Sequence, residues 1–385
     1  MAIGVDVAPE VAALGALAAQ HAEEGDRQRE LAGPVVSALR RSGLFRSLVP
    51  AALGGDESSP QRFLDTVRAL AVCEGAAAWV VAVTGVSGLL GAYLDPASAE
   101  EIYGGQSIVG GVFAPRGRAV ADAAGLTVSG RWSFASGCAH ADWLMVGCVV
   151  ADGEDVLRTP GGSPEIRMVF FPRETYTVHD TWDVAGLRAT GSHDIALEAR
   201  TAVQAHSVSV LTQSPRIEAP LYAFPLFGLF AQSIAAVLLG IAEGALADLV
   251  ELAVAKTPTG YARPLAARND TQARVARAQA ALDAVRSLVA ETVGEAWSMA
   301  QAGDEVTLAA RAALRRCATH AAETAVRVTG DMYALGGGTS VYRASPLQRR
   351  MRDIQVGAQH ALVGPATLEL AGRVSMGLQA DVSQL

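Results

Sequence analysis

Cysteine is scarce in this chain: Cys73, Cys138, Cys148 and Cys317 form no CxxC pair and stand at no zinc-like spacing to a histidine. Neither a metal centre nor a disulfide framework is expected, and the four read as buried thiols. Clustered positive charge is missing as well. Arginine is scattered and the net charge is -8, which argues against nucleic acid, whose binding rests on grouped Lys and Arg. No GxGxxG fingerprint occurs, so no nicotinamide-binding fold is expected. The opening MAIGVDVAPEVAALG has an acidic residue where a secretory signal needs positive charge, and no uninterrupted apolar run reads as long enough to span a bilayer. The expectation is a soluble cytoplasmic protein without membrane contact.

What is present is apolar and helical at both ends. Half of the 385 residues are hydrophobic, enough for a large core divided among two or three subdomains. Residues 8 to 103 carry apolar side chains at three- and four-residue spacing, broken at Gly33-Pro34 and Gly54-Gly55. From about Ile108 the period changes to two, and LTVSGRW, WLMVGCVV and IRMVFFP read as strands joined by hairpins or short loops. After Pro225 the helical period returns in Leu226 to Ala255, Thr271 to Met299, Glu305 to Val328, and Ser345 to Gly377 with a kink at Pro365. The fold class is therefore α+β in αβα order: a helical domain (1–105), a central β-domain (106–215) and a C-terminal four-helix bundle (216–385). Helices this apolar bury a second face in a partner subunit, and a homotetramer is expected.

The stretch SGRWSFASGCAHADW, Ser129 to Trp143, concentrates the chemistry. Alternation places Trp132 and Phe134 on one face, and the chain turns at Ser136-Gly137. An aromatic wall beside a turn hydroxyl suits a flat ring with a polar edge; an ordinary strand end with core aromatics is the alternative. These residues resemble the flavin-contacting strand of the acyl-CoA dehydrogenase superfamily. By that resemblance Phe134 takes the place of the flavin-stacking aromatic and Ser136 that of the hydroxyl bonded to flavin N5. With His140 following, GRWSFASG is most similar to the oxygenase components of two-component flavin-dependent monooxygenases. The resemblance also implies the central β-barrel-like domain and terminal bundle of the acyl-CoA dehydrogenase fold.

Three more stretches extend it. WDVAGLRATGSHDI, Trp182 to Ile195, is similar to the signature that enters a strand beside the flavin, with Gly186, Arg188, Thr190 and Ser192 at the matching positions. Arg188 could hold a phosphate or carboxylate with its fork of donors, or be a plain surface ion pair. The glycines Gly336, Gly337 and Gly338 resemble the loop with which one subunit touches its neighbour's flavin nucleotide. Lys256 stands where the family has its flavin-phosphate arginine and would bind phosphate as a point charge.

RDIQVGAQHALVG, Arg352 to Gly364, decides between chemistries. The glutamate that serves the dehydrogenases as base falls on Ala361, and a histidine, His360, stands one residue earlier. The nearest carboxylates, Asp353 and Glu369, are each about two helical turns away. An imidazole donates one hydrogen bond, accepts another and has its pKa near working pH. The resemblance then implies a monooxygenase that takes reduced flavin (FMNH2 or FADH2) from a separate reductase and reacts it with oxygen to a C4a-hydroperoxide. Ser136 would hold the N5 proton. His360 would stabilise the distal oxygens and protonate the leaving one. The apolar helix from Trp79 to Leu90, with Phe227 and Phe230, would shut out water. The substrate would be an aromatic, polyketide-like or amine small molecule, with phenols disfavoured because Val80 to Leu90 holds no histidine. A dehydrogenase-type desaturase with another base, or a flavin-free scaffold, are the alternatives.

Overall fold

The computed structural model describes residues 8–385 apart from Pro160. Residues 1–7, which carry much of the N-terminal reading, and the proline of the expected Pro160 turn lie outside the described residues. Six helices come first: α1 (Pro9–Gln20), α2 (Ala22–Gln28), α3 (Gly33–Arg41), α4 (Pro60–Cys73), α5 (Gly75–Ser87) and α6 (Pro96–Tyr103). Their starts are chemically marked. Proline occupies the first turn of α1, α3, α4 and α6, where a missing N–H costs nothing. Glu74 caps α5 by accepting from the Ala77 amide at 2.6 Å, and Asp95 caps α6 through the Ala97 and Ser98 amides.

Eight strands follow: β1 (Val109–Asp122), β2 (Gly125–Trp132), β3 (Trp143–Asp152), β4 (Asp155–Val156), β5 (Ile166–Pro172), β6 (Thr177–His179), β7 (Asp194–Ala202) and β8 (Ser207–Val208). They form one sheet in the order β6-β7-β2-β1-β3-β5-β8, with β4 beside β3. β1 and β2 make an antiparallel hairpin, whereas β1 and β3 run parallel from the pair Val109 and Trp143. The connection from β2 to β3 therefore has to cross the end of the sheet, and it carries Phe134 and Ser136. The sheet has its own core of Trp132, Leu144, Val146, Phe171, Ile195 and neighbours.

The C-terminal helices are α7 (Pro220–Ala223), α8 (Leu226–Ala255), α9 (Asn269–Ala302), α10 (Leu308–Gly336), α11 (Pro346–Gly357) and α12 (Pro365–Ser375). α8 lies at the centre, packed on α4, α5, α10 and α11. Two segments, Gly75–Ala92 and α8, are apolar and long enough to cross a membrane by composition, which corrects the expectation that none exists. They are 94% and 83% buried inside the protein, so their apolar character is that of core helices packed on several sides. Cys73 is half-buried, unlike the other three cysteines.

The last helical stretch is broken rather than kinked at Pro365. α11 ends at Gly357, a short 3-10 turn covers Ala361–Val363, and α12 starts at Pro365. Between them His360 is extended (φ -65, ψ 130) and caps the 3-10 turn, its Nδ1 accepting from the Leu362 amide at 3.3 Å. The break takes the histidine out of a helical surface and turns it inward.

α11 also locks the bundle to the β-domain. A Cβ on Gly186 would lie 2.2 Å from the Arg352 carbonyl oxygen, so only glycine lets these backbones meet. Next to it the Leu187 amide donates to Asp353 Oδ1 at 2.6 Å. Asp353 is buried, and loss of water together with the nearby Glu74 raises its pKa from 3.8 to about 7. Two outcomes are expected. Gly186→Ala should lose ~1–3 kcal/mol in urea unfolding through forced separation of the two backbones. Because the folded-state pKa of Asp353 exceeds the unfolded one, its carboxyl loses stability as pH rises from about 4 to about 7. Asp353→Asn keeps the acceptor without the charge and should stabilise by ~1–3 kcal/mol at pH 8 but hardly at pH 5; equal effects at both pH values would refute the assignment.

Candidate active site

The crossing after β2 begins with a strained residue. Phe134 has φ 67, a left-handed backbone that a bulky side chain adopts only when its surroundings hold it. They do so through three hydrogen bonds: the Ser136 amide to the Phe134 carbonyl (2.9 Å), the Ala135 amide to the His193 carbonyl (3.0 Å) and the Gly137 amide to the Thr190 carbonyl (2.8 Å). This turn corrects the expected shared face. Alternation holds only while the backbone stays extended. Trp132 is fully buried in the sheet core, its indole donating to the Gly147 carbonyl at 2.8 Å, whereas Phe134 is 71% exposed. Trp132 therefore contributes no wall to a ligand. Phe134 does offer a free ring, set edge-on to Trp182 with centroids 6.2 Å apart.

Two residues on, Ser136 enters a chain of buried polar contacts. The Trp79 indole N–H, from α5, donates to Ser136 Oγ at 3.2 Å. Ser136 Oγ is 2.7 Å from Ser192 Oγ, which is 2.7 Å from Thr190 Oγ1. Thr190 Oγ1 donates to the Leu187 carbonyl at 2.9 Å. Thr190 and Ser192, both expected at the cofactor, thus stand behind Ser136.

The same indole links Ser136 to His360. Trp79 and His360 meet edge to face with centroids 5.7 Å apart, and Phe230 of α8 lies 5.5 Å from the imidazole on another side. Phe113 extends the cluster, 5.3 Å from Phe230. Burial among these rings, then the nearby Arg315 guanidinium, lowers the His360 pKa from 6.5 to about 4. That corrects the expectation of a pKa near working pH. The imidazole is neutral at pH 7. Since Nδ1 accepts from Leu362, the ring proton sits on Nε2, which has no hydrogen-bond partner among the described residues. His360 consequently acts as a hydrogen-bond donor rather than as a reservoir imidazolium. Neither of the two carboxylates nearest in sequence is bonded to His360: Asp353 accepts from Leu187 and Glu369 is exposed.

Other expected residues lie elsewhere. Arg188 gives its donors to the Asp26 and Val184 carbonyls and to Asp183, within 2.6–3.0 Å. Its Nε and Nη1 tie the β-domain loop to α2. Lys256 and the glycines are together: Lys256 Nζ donates to the Gly336 carbonyl at 2.7 Å, and a Cβ on Gly338 would meet nothing within 4 Å. Along α8, Lys256 lies ~39 Å from Phe230 at ~1.5 Å per residue. The two groups therefore sit at opposite ends of the central helix. A groove of ≈ 280 Å³ lined by Gln61, Arg68 and Arg286 holds none of these residues.

Sequence reasoning passed over three participants. Trp79 was expected only as an apolar wall, and Trp182 only as the head of a motif. Arg315 had no signal, since nothing in an amphipathic helix says which arginine faces inward. It is 3% exposed, with burial lowering its pKa to about 10.

A reduced flavin ring suits this arrangement on the structure's own terms. Phe134 presents an open aromatic face, Ser136 an acceptor, His360 an unpartnered N–H, and Trp79 and Phe230 a dry boundary. Comparisons with known proteins agree. Residues 232–365 match the model of the acyl-CoA dehydrogenase C-terminal domain. The chain is 34% identical over 359 residues to an indole-3-acetate monooxygenase of Pseudomonas putida, covering 92% of this chain and 90% of that protein. It is 29% identical to the flavin-dependent monooxygenase oxygenase subunit HsaA of Rhodococcus jostii, over 90% and 91% of the two chains. The solved structure of XiaF from Streptomyces in complex with FADH2 superimposes with a TM-score of 0.89 at 25% identity, over 96% and 94%. The chain belongs to the acyl-CoA dehydrogenase superfamily and, within it, to the oxygenase components of the flavin-dependent monooxygenases.

Proposed function

We propose that this oxygenase uses reduced flavin from a separate reductase to place one atom of dioxygen on an aromatic small molecule. The observation that carries the reading is the cluster of Ser136, Trp79 and His360, with a neutral imidazole beside the place where Ala361 replaces a base. A thioester desaturase needs a carboxylate there to take a proton; this chain offers a donor. The reduced flavin supplies the electrons that activate oxygen. Ser136 accepts a hydrogen bond at Oγ, and His360 donates one from Nε2 to the oxygen end of the reaction. A neutral N–H stabilises developing negative charge without repelling it, as a carboxylate would. Trp79, Phe113 and Phe230 keep water from the reacting atoms. These rings also favour a flat aromatic substrate, in keeping with the indole derivative in the name of one relative.

The distance along α8 supports a homo-oligomer, which we take to be a tetramer. Lys256 and Gly336 to Gly338 are too far from the His360 cluster to hold the same flavin in one chain, and serve the nucleotide of a flavin bound by another copy. The neighbouring Val341 and Tyr342, 61% and 69% exposed, suit such an interface. Light scattering is expected to give four copies.

Two measurements test the chemistry. Supplied with a flavin reductase and an aromatic substrate such as indole-3-acetate, the wild-type protein should convert most reduced flavin into oxygenated product. His360→Ala and His360→Asn should divert about tenfold more of it to hydrogen peroxide, as loss of a hydrogen bond to charge costs ~1.5–3 kcal/mol. The pH profile follows from the direction of the shift. A pKa of about 4 keeps His360 neutral from pH 5.5 upward, so coupling should be flat there. An inflection near 6.5 that disappears in His360→Asn would show that the imidazolium is the working form and overturn this role.

A further inference from the structure

The hydroxyls behind Ser136 are not free to rotate. At one end the Trp79 indole is a donor only; at the other the Leu187 carbonyl is an acceptor only. Thr190 Oγ1 lies 2.9 Å from that carbonyl, and two oxygens so close need a proton between them. The Thr190 proton is therefore spent on Leu187. Thr190 Oγ1 can only accept from Ser192, at 2.7 Å. Ser192, having given its proton away, can only accept from Ser136, also at 2.7 Å. All members are buried, with Thr190 and Ser192 1% and 3% exposed, so no solvent relaxes the order. The protons run one way, from Trp79 through Ser136, Ser192 and Thr190 to Leu187. What Ser136 has left for a ligand is a lone pair.

We propose that this one-way chain makes Ser136 a fixed acceptor that selects the reduced, N5-protonated flavin over the oxidised one. The inference rests on the flavin reading above and adds the residues, Thr190 and Ser192, that set this preference through the proton of Ser136. Reduced flavin carries a hydrogen at N5 and donates to Ser136 Oγ. In oxidised flavin N5 is a bare acceptor, and it meets another acceptor. Oxidised product is thus pushed out by the same oxygen that held the reactant, as a component that receives its flavin reduced and releases it oxidised requires. Thr190 and Ser192 act as positioning residues: they touch no reacting atom and work by directing the Ser136 proton.

The test compares affinities of the purified protein for oxidised and dithionite-reduced FAD and FMN under anaerobic conditions. Wild type should bind the reduced form about tenfold or more tightly, the scale of one hydrogen bond gained against one clash of acceptors. Thr190→Val removes the end of the chain at constant shape. Ser192 can then turn its proton to Ser136, and Ser136 its own to N5. The reduced-to-oxidised preference should fall roughly five- to tenfold, chiefly through tighter oxidised flavin. Ser192→Ala, which breaks the chain one link earlier, should do the same should the valine variant fold poorly. Thr190→Ser, which keeps the hydroxyl, should restore the wild-type ratio. A purely structural role would weaken both redox forms together, and an unchanged ratio in Thr190→Val and Ser192→Ala overturns the proposal while leaving the monooxygenase reading intact. Failure of the wild type to bind either form of either flavin would overturn both.

Discussion

One line of hydrogen bonds holds the three parts of the molecule to each other. It starts at the Trp79 indole in the N-terminal helices, passes through Ser136, Ser192 and Thr190 in the β-domain, and reaches the Leu187 carbonyl. On the other side of the Leu187 Cα, the amide of the same residue donates to Asp353 in the bundle. Each member is buried, and each buried polar group left without a partner costs ~1–3 kcal/mol, so the line is stable only when complete. Leu187 is the weak point geometrically: it is left-handed, with φ 50. Its conformation is tolerated because both of its polar groups find partners that an extended residue there could not reach. Domain docking and the order of the active-site protons are therefore one constraint.

That constraint explains which residues could be read from the sequence. α8 was legible to its ends because a long apolar run bounded by Pro225 and Lys256 has only one helical solution. Ser136 and His360 stand out in the sequence because their surrounding stretches resemble a known family, and the structure puts both against the Trp79 indole. Trp132 was not legible. Its expected partnership with Phe134 assumed an extended chain, and the left-handed turn that separates them is imposed by amides bonded to His193 and Thr190, far away in sequence. The same holds for Arg188, whose clamp on α2 depends on where the N-terminal helices dock. The position of His360 shows the reverse case: Pro365 signals irregularity, but the break lies several residues earlier, after Gly357, where a Cβ would press on Leu238, Trp79 and Leu187.

Burial gives Ser136 and His360 opposite hydrogen-bond characters. Ser136 is an acceptor because its proton is committed inward, and His360 is a donor because its Nδ1 is committed to Leu362 and its charge is suppressed. Neither character belongs to the residue type. A serine hydroxyl in water does both, and a histidine in water is often cationic below neutrality. Taking them out of water and fixing one side of each leaves the other side with one option, which is preorganisation in the sense that matters for reactive oxygen chemistry.

The same apolar interior that fixes these protons also sets the distance between the two ends of the central helix. α8 is buried along most of its length by α4, α5, α10 and α11, so it is rigid, and its two ends cannot approach each other. The aromatic cluster at its start and the lysine and glycines at its end are kept apart by a helix with no break in it. In the tetramer we propose, a nucleotide would unite them across two copies. On that proposal the unbroken central helix, rather than any flexibility of the loops around it, is what would make assembly a part of cofactor binding.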